Sequence, residues 1–448
     1  VTHLRLQISN ALSSVAGPAG LSPGEFDRLM ARVSEAIGTI KRQRSEGSLP
    51  FLDLPRDREV LEICRSTARR CGDHENFVLA GIGGSALGPY ALFRALSHPF
   101  HNLLDGSRRR TPRFFVLDNI DPDTVGALFE VANPSRTLFN IISKSGATAE
   151  TAAASLVIFD ALQKSVGGRW RDHIVVTTDP EKGDLRQLAR EEDLAALPIP
   201  PGVGGRFSVL SSVGLFPAVC LGLDAENLLA GAEAMADLCL EAEPRENPAA
   251  LLATLLHFFD TRRGRPIHVM MAYADRLLPL ADWWRQLWAE SLGKRHTNDG
   301  REVFLGPTPV KALGATDQHS QVQLYIEGPQ DKVFIFLEAK RFQREVTLDP
   351  IFGHLSSLEY LGGKSMNALM AAECSATRQA LTDAGRPNLT LEFPEISANF
   401  LGEAFMLFEI ATIIAGDLYN VNPLDQPGVE HGKILTYRLM GHKGYEEA

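Results

Sequence analysis

Cysteine is scarce in this chain: five in 448 residues, at Cys64, Cys71, Cys220, Cys239 and Cys374. The number is odd, the positions are scattered and no CxxC pair occurs, which argues against a disulfide framework or a cysteine zinc site and points to a reducing cytoplasm. Excess positive charge is missing as well. Lys and Arg number 45 against 55 Asp and Glu, for a formal net charge of −10. That balance argues against a nucleic-acid binder and against an anionic membrane surface as partners. Any anion site must then be locally positive or built from backbone N–H groups. The opening residues VTHLRLQIS lack the apolar core of a signal peptide. The most apolar helix candidate, residues 400–419, carries Glu403, Glu409 and Asp417, which suits a buried core helix better than a membrane span. Low-complexity tracts and short repeats are absent. What is present is the composition of a globular enzyme, 44% hydrophobic and 22% charged, long enough for one large core or two medium ones.

The order of patterns along the chain predicts an α/β fold. Ser22-Pro23-Gly24-Glu25 reads as a capping box with proline at the first helical position. Phe26, Leu29, Met30, Val33, Ile37 and Ile40 then repeat at helical spacing. From residue 76 onward, short apolar runs alternate with helical segments: FVLAGIGG, RFFVLDN, LFNIISKSG and DHIVVTTDP read as buried parallel strands. A second series follows at residues 267–274, 321–328, 332–339 and 389–394. The expected architecture is two doubly wound parallel-sheet domains, residues 76–225 and 226–398. A helical N-terminal segment, residues 1–75, and a helical C-terminal tail, residues 399–448, flank them.

Two loops carry chemistry. The first, Gly81-Ile82-Gly83-Gly84-Ser85-Ala86, lies between a strand and a helix start, where exposed backbone N–H groups suit a phosphate. It also fits the loose dinucleotide pattern GxGxxA, with Asp118 as a forced acidic partner. A tight turn without ligand is the plain alternative. The second loop, Ser143-Lys144-Ser145-Gly146-Ala147-Thr148, offers three hydroxyls and an ammonium, and Thr148 could equally be a helix N-cap. Together they suggest one site for a phosphorylated small molecule. Other candidates read ambiguously by spacing alone. Gln286, Glu290 and Lys294 fall at i, i+4 and i+8, so Glu290–Lys294 could be a surface ion pair, although Gly293 points to a helix end. Arg206 could be an exposed loop arginine, His319 a solvent-facing histidine, and Lys433 a partner of Glu430. Trp283, Trp284 and Trp288 read as core or interface.

The ordered motifs GIGGSALGP, SKSGATAET, GVGGRFS, QLWAESLGK, TDQHSQ and QPGVEHGK resemble the glucose-6-phosphate isomerase family, in its shorter bacterial form, from about residue 77 to the C-terminus. The resemblance implies two sugar-isomerase (SIS) domains, a homodimer and metal-independent interconversion of glucose 6-phosphate and fructose 6-phosphate, with no cofactor. Residue by residue it implies phosphate binding by Ser85, Ser143, Ser145 and Thr148, with Lys144 beside them and Gly84 as a substrate-binding residue. It implies Glu290 as catalytic base and Gln286 as a positioning residue. Gly205 and Arg206 match the segment whose arginine faces the reacting carbons. Lys433 matches the lysine near the ring oxygen and Gln426 a binding residue. His319 matches a ring-opening histidine supplied by the neighbouring subunit. Ala147 stands where many relatives have a second threonine, and His431 receives no role. A non-catalytic sugar-phosphate sensor would need the loops but not Glu290, His319 and Lys433 together. A dinucleotide-dependent oxidoreductase would rest on GxGxxA alone.

Overall fold

A computed structural model describes residues 3–445. Its twelve strands are β1 (Arg5–Gln7), β2 (Asn76–Ala80), β3 (Arg113–Leu117), β4 (Thr137–Ile142), β5 (Ile174–Thr178), β6 (Ala195–Pro198), β7 (Ile267–Tyr273), β8 (Lys294–His296), β9 (Glu302–Leu305), β10 (Thr308–Leu313), β11 (Lys332–Ala339) and β12 (Asn388–Phe393). The first sheet is wholly parallel, in the order β3-β2-β4-β5-β6. The second, β1-β12-β11-β7-β10, is parallel except for the antiparallel edge strand β1. Strands β8 and β9 form a separate hairpin.

The inner strands of both sheets bury both faces, which is why they read as nearly continuous apolar runs. In β2, Phe77 and Leu79 face a central core while Val78 and Ala80 face an outer one. In β7, Met270 and Ala272 face the same central core, and Val269, Met271 and Tyr273 an outer one. The period-2 alternation of a strand is thus apolar on each side. The central core joins the inner faces of the two sheets through four helices: Ala225–Glu241, Pro248–Arg263, Leu278–Leu292 and Ala398–Tyr419. Trp283, Trp284 and Trp288 are buried within it.

Ala398–Tyr419 is long and apolar enough to cross a membrane, yet 89% of its most apolar window is buried inside the protein. Its packing is unusually close. A Cβ added to Gly402 would lie 1.9 Å from the Leu228 carbonyl oxygen, and one added to Gly231 would lie 1.9 Å from that of Asn399. Glycine at both crossings lets the two helices meet backbone to backbone.

The strand order of the first sheet sets the site. From β2 the chain steps to β3 on one side, then crosses back to β4 on the other. The helix after β2, Leu87–Leu96, packs in the central core, whereas the helix after β4, Ala149–Val166, packs in the outer core. The helices that follow β2 and β4 therefore lie on opposite faces, and the point where the strand order reverses is the usual location of ligands in open α/β sheets.

The capping box forms as expected: the Ser22 N–H donates to Glu25 (3.0 Å) and the Glu25 N–H donates to Ser22 Oγ (3.4 Å), opening a helix over Pro23–Ser45. One expected strand is wrong. QVQLYIEG, residues 321–328, holds a helix over Val322–Glu327. Val322, Leu324 and Ile326 fit a strand, but Val322, Tyr325 and Ile326 fit a helical face equally well in so short a run. The helix buries that second set, with Tyr325 at 2% exposure and Leu324 left at 53%. The strand beside β7 is instead β10, whose sequence TPVKAL begins beside a proline and carries a lysine. Strand β1 lies within the mostly helical opening segment, and β6 follows the fourth expected strand of the first sheet.

Candidate active site

The helix Leu278–Leu292 turns its tryptophans into the core and leaves Gln286 and Glu290, one turn apart, on a partly open stripe. Gln286 Nε2 donates to Glu290 Oε2 at 3.0 Å. Three loops close on this stripe. The β2 loop is a short turn over Gly83–Ser85, with Gly83 at φ +59°, and a Cβ on Gly83 would lie 2.8 Å from Gln286 Nε2. Gly84 abuts the next loop directly, since its added Cβ would fall 2.2 Å from the Gly205 carbonyl oxygen. That loop delivers Arg206, which is 4% exposed and not the surface arginine its glycine-rich context allows.

Arg206 is the hub. Its Nε lies 3.8 Å from Glu290 Oε1. Its two terminal nitrogens donate to Ser291 Oγ, to the carbonyls of Pro423 (3.2 Å) and Asp425 (3.2 Å), and to Gln426 Oε1 (2.9 Å). Burial pulls its guanidinium pKa below the ordinary range, with Glu290 and Asp425 opposing the shift. Even lowered, an arginine remains a fixed cation at neutral pH. A half-open carboxylate facing a buried guanidinium, with a neutral amide donor beside it, can accept a proton from a bound substrate while the cation holds developing negative charge.

The β4 loop is ordered by its own hydroxyls. Ser143 Oγ accepts from the Gly146 N–H (3.1 Å) and lies 3.2 Å from Thr148 Oγ1, while Ser145 Oγ accepts from the Ala147 N–H (3.3 Å). Thr148 occupies the N-cap position of Ala149–Val166, but its side chain makes no capping bond. The hydroxyl is turned toward Ser143, which leaves the first N–H groups of an 18-residue helix without that cap. Lys144 is half-buried and donates to the Val203 carbonyl (2.7 Å), tying this loop to the one that carries Arg206. Burial lowers its pKa, with Asp179 opposing.

Gln286, Glu290, Gly84, Gly205, Arg206 and Gln426 are therefore drawn into one cluster, with Ser85 on the same β2 turn and the Ser143–Thr148 loop linked through Lys144. His319 and Lys433 stand outside it. His319 is exposed on the short turn Thr316–His319 after β10, with no hydrogen bond or ion pair to the cluster among the described residues. Lys433 is exposed on the helix Glu430–Leu439 and pairs with Glu430 at 2.7 Å. The next-turn tyrosine of that helix, Tyr437, donates to the Ala147 carbonyl (2.8 Å), so the helix already leans on the β4 loop.

Sequence reasoning missed Ser291, whose hydroxyl seats Arg206, and the part played by Lys294. Lys294 is 7% exposed and donates to the main-chain carbonyl of Glu290 (2.9 Å), not to its carboxylate as a surface pair would. The signal available was Gly293, which ends the helix and swings the lysine out of the i+4 position.

A family model described as phosphoglucose isomerase matches residues 67–446. The chain is 45% identical over 447 residues to a glucose-6-phosphate isomerase of Carboxydothermus hydrogenoformans, covering 99% of this chain and 96% of that one. It is 48% identical over 429 residues to a glucose-6-phosphate isomerase of Rubrobacter xylanophilus, covering 95% and 96%. Among solved structures it is similar to a hypothetical protein from Thermus thermophilus, with TM-score 0.88, 39% identity and coverage of 98% and 99%. It is also similar to a glucose-6-phosphate isomerase from Chlamydia trachomatis, with TM-score 0.73, 25% identity and coverage of 90% and 74%. With the family model spanning most of the sequence and relatives matched nearly end to end, the chain belongs to the phosphoglucose isomerase family.

Proposed function

We propose that the cluster around Glu290 performs the family's chemistry with the residues named from the sequence. The enzyme interconverts glucose 6-phosphate and fructose 6-phosphate. The observation that carries the assignment is the Glu290 carboxylate held between the Gln286 amide (3.0 Å) and the Arg206 guanidinium (3.8 Å), where the β2 loop meets the Arg206 loop.

An aldose–ketose exchange must open the sugar ring and move a proton between C2 and C1. Glu290 takes the proton from one carbon and returns it to the other, since a planar cis-enediol presents both carbons to one base. Arg206 stabilises the charge that develops on the enediolate oxygens. Gln286 and Gln426 orient the open chain, and Gly84 and Gly205 let the backbone approach it. Ser85, Ser143, Ser145, Thr148 and Lys144 hold the phosphate, whose remote binding energy fixes the reacting carbons against Glu290. Lys433 serves the ring oxygen from the helix Glu430–Leu439. We further infer two doubly wound SIS units, residues 76–225 and 226–398, flanked by segments 1–75 and 399–448, and a homodimer in which the partner subunit's His319 opens the ring. The exposed ring of His319, without a hydrogen bond to the cluster among the described residues, supports donation to a second copy.

The test of the phosphate site is Ser145→Ala combined with Thr148→Ala. Losing two hydroxyls that face a phosphoryl group should raise KM for fructose 6-phosphate on the order of 10- to 100-fold; an unchanged KM places the phosphate elsewhere. Donation across the dimer is tested by mixing His319→Ala chains with Glu290→Gln chains. A histidine given to the partner leaves each hybrid with one complete site, so activity reappears on mixing. A histidine used within its own chain leaves none, and the mixture stays as inactive as its parts.

A further inference from the structure

Lys294 is the first residue after the base-bearing helix and its terminal glycine, and the fold goes to some length to fix it. Strand β8 begins at Lys294 and pairs it with Leu305 of β9. The hairpin then folds back on the helix end: a Cβ on Gly306 would lie 2.6 Å from Gly293 Cα. So held, the lysine sends its ammonium back along the helix. It donates to the carbonyl of Glu290 (2.9 Å) and to the carbonyl of Asp425 (2.8 Å), with Asp425 Oδ1 at 3.5 Å.

The Asp425 carbonyl also accepts from Arg206, at 3.2 Å. Two buried cations thus converge on one peptide oxygen, in a turn whose next residue, Gln426, bonds Arg206 at 2.9 Å. Like charges at such range repel, and both groups lose hydration on burial. Arg206 and Asp425 are the charged side chains that face the ammonium along with Glu290. A structural tie alone needs no charge; a hydroxyl or amide would bond the same carbonyls without the repulsion.

We propose that Lys294 is a positioning residue for the isomerisation: it joins the Glu290 turn of the helix to the Pro423–Gln426 turn, so that Glu290, Arg206 and Gln426 keep one mutual geometry. The inference rests on the reading of Glu290 as the base. Removing the tie lets the base drift relative to the cation, and displacement on the scale of an ångström costs catalysis far more than it costs binding.

The experiment is Lys294→Met in the full-length protein, with fructose 6-phosphate as substrate, alongside Lys294→Arg. The methionine variant should lose about 10- to 100-fold in kcat with KM changed by less than about threefold. That split, turnover lost with binding kept, is one that a merely structural lysine would not produce. Lys294→Arg, which keeps charge and donors, should recover at least about tenfold of that loss. A methionine variant with parental kcat overturns the proposal while leaving Glu290 in place. So does a loss matched by an equal loss of folded protein, read by circular dichroism. A parent enzyme without turnover would instead overturn the underlying reading of the site.

Discussion

Replacing Glu290 with Gln will lower kcat/KM for fructose 6-phosphate by about 10³- to 10⁴-fold, the range expected when a positioned general base is removed. Glutamine has the size of glutamate and retains an oxygen that can accept from Gln286, so the 3.0 Å bond along the helix survives. Arg206 keeps its anchors on Ser291, Pro423, Asp425 and Gln426, none of which involves the Glu290 side chain. The partly open position of Glu290, 25% exposed at the side chain, adds no packing cost. The variant should therefore fold, melt within a few degrees of the parent, and bind the substrate with nearly unchanged affinity, measured by calorimetry. A variant that loses affinity in step with turnover would make Glu290 a binding or structural group.

Gly84→Ala should be damaging by a different route. The new methyl would fall 2.2 Å from the Gly205 carbonyl oxygen and 2.3 Å from its carbon. Both are main-chain atoms of a short turn, so neither can rotate aside. Relief requires the β2 loop and the Arg206 loop to part, and those are the two loops that meet over Gln286 and Glu290. Overpacking of this kind costs about 1–3 kcal/mol of stability. A displacement near an ångström at the reacting groups costs about 100-fold in rate. The expected result is a folded protein with a lowered melting temperature and kcat/KM down by about two orders of magnitude. Full activity would mean that the loops are not jointly positioned by this contact.

Much of this was legible in the residues. Strands β2, β4, β5 and β11 are buried along their length and are therefore mostly apolar, a pattern that is easily recognised, and their few polar residues, such as Asn140, are hydrogen-bonded inside. The loops after β2 and β4 announce themselves by glycine and hydroxyl content, because backbone approach and polar turns demand those residues. Strand β10 was illegible because Pro309 and Lys311 disguise an edge position, where a missing N–H and a long charged side chain are tolerated. QVQLYIEG misled because so short a run satisfies periods of 2 and of 3.6 at once. Within the site, Gln286 and Glu290 could be placed on one helix face, but Arg206 reaches 85 positions along the chain to Ser291 and 220 to Gln426. Such contacts arise from how the central core stacks the sheets, which no local pattern encodes. Lys294 illustrates the same limit: spacing offers Glu290's carboxylate as its partner, while the chain's turn at Gly293 gives it the carbonyl instead.

The central claim is that a carboxylate at Glu290 carries a proton between C2 and C1. Its most direct test is turnover of fructose 6-phosphate in deuterium oxide, with the glucose 6-phosphate product read by proton NMR. The account predicts deuterium at C2 in a measurable share of the product formed by the parent enzyme, because a proton held on a half-open carboxylate can exchange with solvent before it is returned. It predicts none formed above background by Glu290→Gln. Rapid conversion by the parent enzyme with C2 wholly protonated would mean that hydrogen passes directly between the carbons, and would contradict the role assigned to Glu290.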